Sequence, residues 1–82
     1  MILTDKMQEK YLNCIDNIVK LYKHDDIKAA DKKFNSLFDR WYGLYLKYDN
    51  MERYEKKKFD EISNSIFLDI TIPYKNGKSR LF

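Results

Sequence analysis

Between Ile27 and Tyr48 the apolar residues fall at Ile27, Ala30, Phe34, Leu37, Phe38, Trp41, Leu44, Tyr45 and Tyr48, a spacing that an α-helix gathers onto one side. Six of the fifteen residues in FNSLFDRWYGLYLKY, positions 34–48, are aromatic. Plotted at 100° per residue, the apolar side of this helix covers about 200°, and that of the stretch before it about 180°. One helix of a three-helix bundle needs an apolar stripe of only about 100–140°. The surplus has to be covered by another part of the chain or by another molecule.

The stretch before it carries Met7, Tyr11, Cys14, Ile15, Ile18, Val19, Leu21 and Tyr22 at helical spacing. Thr4 is the expected N-cap and Asp5 an acid in the first turn. Lys20, Lys23 and His24 are cations where the helix dipole favours them. A first helix is therefore expected over about residues 4–24. Asp25 and Asp26 supply the cap of a second helix, 26–48, in which Gly43 is expected to mark close packing against a neighbour. Asp49-Asn50-Met51-Glu52 resembles a capping box and announces a third helix, 50–63, with Met51, Tyr54, Phe59 and Ile62 as its apolar residues. The run EKKK at 55–58 reads as most of its solvated face.

After Ser63-Asn64-Ser65 the period changes. Ile66, Leu68, Ile70 and Ile72 occupy alternate positions, as on a half-buried strand, and Pro73 stops the run. Asn76-Gly77 is a turn signal that could close a short hairpin with 78–82. The expected fold is mainly α, a three-helix bundle with a short C-terminal extended segment or β-hairpin over 66–82. All 82 residues form one domain, since no linker, repeat or low-complexity tract divides them.

Charge and cysteine usage narrow the function. Thirteen bases balance thirteen acids through residue 70, so the net +3 comes from Lys75, Lys78 and Arg80 in the tail. A single cysteine, Cys14, permits no internal disulfide. The opening MILTDKMQEKY lacks the pattern of a signal peptide, and no apolar run reaches membrane-spanning length, so the expected setting is the cytosol without a membrane. The abundance of Lys, Asn, Ile, Tyr and Asp suits an AT-rich bacterial or phage genome.

Catalytic and metal chemistry lack their usual residues. Cys14 and His24 are too few soft ligands for structural zinc, and ten residues of one helix separate them by about 15 Å along its axis. Cys14 reads as a small buried hydrophobe and His24 as a helix-end cation. Asp25-Asp26 reads as capping and Asp60-Glu61 as a solvated face. With only Gly43 and Gly77 in the chain, no glycine-rich phosphate loop exists. No catalytic residue, cofactor or metal is expected.

Binding is the remaining class. Phe34, Phe38, Trp41 and Tyr45, along the centre of the stripe, are expected in the core. Its margins are the candidate contact surface: Tyr42 and Leu46 on one flank, Leu37, Leu44 and Tyr48 on the other. In the tail, Lys75, Lys78 and Arg80 could steer toward an acidic partner. The expected activity is stoichiometric binding of another protein, or of a second copy in a homodimer, as inhibitors, immunity proteins of mobile elements and adaptors do. The alternative is nucleic-acid binding through the basic tail with Lys32-Lys33 and Lys56-Lys57-Lys58. Against it, acids interleave those clusters, and the second helix has no cluster of Arg, Asn or Gln suited to reading base edges.

Overall fold

The computed structural model describes residues 1–76. The first helix, α1 (Asp5–Lys23), starts as expected: Thr4 has extended backbone, and its hydroxyl accepts from the Met7 N–H at 3.1 Å. Its end is made by the two residues after the C-cap His24. The Asp25 N–H donates to the Tyr22 carbonyl at 3.0 Å and the Asp26 N–H to the Leu21 carbonyl at 2.9 Å. This is the Schellman pattern, which needs a left-handed residue after the C-cap. Asp25 takes that conformation, with φ 63°. Asp25 thus closes α1, and only Asp26 caps α2 (Ile27–Tyr45), without a side-chain bond.

Helix α2 buries Ala30, Leu37 and Leu44, a seam with one residue every seven. The matching row on α1 is Ile15, Ile18 and Tyr22. Gly43 faces open space, with nothing near the position a Cβ would take, so close packing does not explain it.

A single 3-10 turn, Tyr48–Asn50, leads to α3 (Arg53–Ser65). The capping box lies three residues later than the sequence suggests: Glu52 is the N-cap and Glu55 its reciprocal partner. Glu55 is also buried rather than solvated. One of its oxygens, Oε1, accepts from the Glu52 N–H at 2.9 Å. The other, Oε2, accepts from the N–H groups of Ile2 and Leu3, each at 2.6 Å. This carboxylate ties the first residues to α3 and seats Leu3 in the core.

Among the described residues there is no strand. The segment Ile66–Asn76, expected to be extended, continues α3 as a π-helix. Its wider turn, closed by bonds five residues apart, places Ile66 and Ile70 inward and leaves Phe67, Leu68 and Ile72 exposed. The alternating pattern is real but fits two geometries. A strand puts all four aliphatic residues on one face, whereas a wide helix buries every second one. Packing decides for the helix, because Phe59, Ile62, Ile66 and Ile70 form one continuous buried row against α1. The second half of the expected hairpin, 78–82, lies outside the described residues.

Helix α1 is the centre of the architecture. α2, α3 and the π-helical segment all pack on it. The core joins Leu3, the α1 and α2 rows, Met51 and the α3–π row in one cluster. Because α2 is held chiefly by α1, one side of α2 is left uncovered.

Candidate functional site

The narrow seam Ala30–Leu37–Leu44 lies toward one edge of the wide apolar arc of α2. The core therefore takes that edge, and the centre of the arc is turned outward by about 80°. Phe38 is 45% exposed, Tyr42 48%, Tyr45 52% and Leu46 66%, while Phe34 and Trp41 are half-buried beside them. The expectation that Phe34, Phe38, Trp41 and Tyr45 form the core is thus corrected for Phe38 and Tyr45, which are exposed, while Phe34 and Trp41 pack half-buried against the core, and the four rings together build a ridge.

The ridge is an unbroken series of ring contacts. Centroids lie 6.1 Å apart for Phe34 and Phe38, 5.3 Å for Phe38 and Trp41, 5.5 Å for Trp41 and Tyr45, and 5.9 Å for Tyr42 and Tyr45. Aromatic pairs in this range attract by about 0.5–1.5 kcal/mol beyond area burial. Trp41 anchors the series. Its ring stacks on Phe59 of α3 at 5.6 Å and 17°, and its indole N–H donates to the Ser63 hydroxyl at 2.7 Å. That hydroxyl donates in turn to the Phe59 carbonyl at 2.9 Å. One face of the indole is fixed against α3, and the neighbouring rings are aligned on it.

A cation sits over a ring at each end. The Lys75 ammonium lies 4.8 Å from the Phe34 centroid, and that of Lys56 lies 5.2 Å from Tyr48. Tyr48 also packs on Phe59 at 5.5 Å.

The residues expected to form the contact surface divide between surface and interior. Tyr42 and Leu46 are exposed on the ridge. Leu37 and Leu44 are core residues facing α1, so they belong to no accessible surface: the flank they occupy is the one the fold covers. Tyr48 is half-buried at the end of the ring series. Lys75 is not free to steer a partner. It donates to Asp31 Oδ1 at 3.0 Å and to the Tyr22 hydroxyl at 3.4 Å, and Tyr22 itself donates to Asp31 and stacks on Tyr74 at 4.8 Å. Burial alone lowers the pKa of Lys75, but these bonds more than offset it and raise it above its ordinary value. Lys78 and Arg80 lie outside the described residues.

The sequence reading passed over Phe38 and Tyr45 as surface residues. No spacing singles them out, because Phe38 and Tyr45, and Phe34, Trp41 and Tyr48, repeat at the same seven-residue interval as Ala30, Leu37 and Leu44. Cys14 is half-buried and His24 is the exposed C-cap of α1. Among the described residues, no helix is long and apolar enough to cross a membrane. No family model, curated protein or solved structure matches this chain.

Proposed function

We propose that this chain is a non-enzymatic protein-binding module that acts by stoichiometric association, and that the α2 ridge is its binding surface. The observation that carries this reading is the exposure of Phe38, Tyr42, Tyr45 and Leu46 on one continuous aromatic ridge. Soluble monomers seldom leave a large contiguous apolar patch in water unless it serves recognition. Tyrosine and tryptophan are the residues that dominate such interfaces, because a large apolar body carries a polar handle. Anchoring of Trp41 on α3 keeps the ridge in one arrangement, which reduces the ordering cost of association.

The finer form of the proposal is an inhibitor or immunity-type protein of a bacterial mobile element or phage, acting in the cytosol. It rests on small size, compositional bias and the lack of catalytic motifs. Two lysines on which a nucleic-acid reading would draw are engaged within the chain. Lys58 pairs with Asp5 at 2.9 Å and lies over Tyr54, and Lys75 is held by Asp31.

The test is capture of the partner from native lysate by wild type and by a Tyr42→Ala/Tyr45→Ala/Leu46→Ala variant. All three side chains are exposed, so circular dichroism should be unchanged. Interface centres of this kind lose about 2 kcal/mol or more per truncated anchor, so the variant should bind at least about tenfold more weakly. Nuclease treatment should leave capture by wild type intact. Light scattering reports whether the partner is a second copy. A monodisperse monomer whose partner binding survives the triple substitution overturns the proposal.

A further inference from the structure

On the side of α2 away from the ridge, a groove of about 390 Å³ opens between α1 and α2. That volume falls in the range of small-molecule sites, about 300–1,000 Å³. Its walls carry three cations, Lys10 from α1 and Lys33 and Arg40 from α2, and no acidic side chain lines it. Lys33 and Arg40 are seven residues apart, two turns along one side of the helix. Among the described residues none of the three makes an ion pair. Met7, Tyr11 and Cys14, all half-buried, supply the apolar part of the lining, and the buried Leu37 borders it. The Tyr11 hydroxyl has no hydrogen-bond partner among the described residues, so it is available as a donor inside the groove.

We propose that this groove binds a small organic anion, a carboxylate carried on an apolar body. Charge complementarity selects the anion. Three uncompensated cations around a low-dielectric concavity concentrate positive potential there, and a carboxylate relieves their mutual repulsion. Arg40 offers a paired N–H fork and Tyr11 a hydroxyl donor to its oxygens. The Tyr11 environment agrees with this assignment. Burial raises the phenol pKa, while the Arg40 charge acts in the opposite direction and Cys14 adds to the rise. The phenol therefore remains protonated at neutral pH, beside a cation whose field it feels. Met7 and Cys14 favour an apolar body over a bare inorganic ion, because water leaving them adds to the binding free energy. The site is independent of the α2 ridge, since the two lie on different sides of the helix.

Decanoate is a suitable probe, with decanol as its neutral counterpart and inorganic phosphate as the charge without the chain. Calorimetry should detect decanoate binding at least tenfold tighter than that of either control, and weaker binding in 0.5 M NaCl than in 0.05 M. Bound decanoate should slow the modification of Cys14 by a thiol reagent. A Lys33→Gln/Arg40→Gln variant changes two exposed side chains and should keep its circular dichroism while losing tenfold or more of the affinity. If that variant fails to fold, Lys10→Gln and the salt dependence of wild type give the same readout. Tyr42→Ala should bind decanoate as wild type does. The proposal is overturned if decanol binds as well as decanoate, if Cys14 stays unprotected, or if removal of the cations leaves affinity unchanged.

Discussion

The Glu55 carboxylate is almost sealed from water, at 1% exposure, yet it keeps its charge because three backbone N–H groups face it. The bond from Glu52 contributes most, followed by that from Leu3; burial opposes them, the Ile2 bond adds to them, and the net effect lowers the pKa below its ordinary 4.5. A group with a lowered folded pKa adds stability above its unfolded value, and that stability is lost as pH falls through the folded value. Wild type should therefore lose part of its urea resistance as pH drops below about 4.5. Glu55→Gln turns one acceptor oxygen into an amide with two donors, so at least one N–H group loses its partner. Its urea midpoint should be lower at pH 7, and the gap to wild type should narrow in acid. An unchanged midpoint at pH 7 would show that the clamp on Ile2 and Leu3 contributes nothing. Asp25 is the converse, a residue whose backbone works against its side chain. With φ at 63° it sits where glycine is free of Cβ strain. Asp25→Gly should stabilise the chain by about 0.5–1 kcal/mol, raising Tm by about 2–8 °C in a domain of this size. A fall in Tm would mean that the aspartate side chain does more than close the helix.

At the scale of elements, the π-helical continuation of α3 makes a claim that a strand cannot share. Ile70 is fully buried and Leu68 is 59% exposed, though both belong to the same alternating series. Ile70→Ala should cost about 2–5 kcal/mol, as deletions in a packed core do. Leu68→Ala should fall within about 0.5 kcal/mol of wild type. Equal losses at the two positions, measured by denaturant unfolding, would restore the extended reading. The same logic governs α2. Its helical character was plain from the spacing of apolar residues, but which part of a 200° arc faces inward depends on what α1 offers opposite it. Ile15, Ile18 and Tyr22 form a row that accepts Ala30, Leu37 and Leu44, and Phe38, Tyr42 and Tyr45 are left outside.

For the whole molecule, the end of the π-helical segment is fastened back to the α1–α2 corner. Lys75 reaches Asp31 and Tyr22 across 44 and 53 residues of sequence, and Tyr74 stacks on Tyr22. The raised pKa of Lys75 means that its contribution is complete below the ordinary value of 10.5 and is lost as pH rises through the higher folded value. Both side chains of the Lys75–Asp31 pair are partly exposed, so it is worth at most about 1 kcal/mol. Lys75→Gln should lower stability by that amount at pH 7 and respond less than wild type to alkali above pH 10.5. A substitution with no effect at pH 7 would reduce the pair to a surface contact.

Local rules settled what local rules can reach. The starts of α1 and α2 followed from Thr4, Asp26 and the apolar periods, because each depends on neighbours within about one turn, whereas α2 stops at Tyr45 rather than Tyr48 and α3 runs Arg53–Ser65 rather than 50–63. Tertiary structure decided the rest. It selected Glu52 rather than Asp49 as the cap of α3, since Glu55 also had to satisfy the N–H groups of Ile2 and Leu3. It wound Ile66–Asn76 into a helix, since an alternating pattern admits two periods and only the α1 groove distinguishes them. It set the rotation of α2, because burial belongs to a pair of surfaces and is not a property of either one alone.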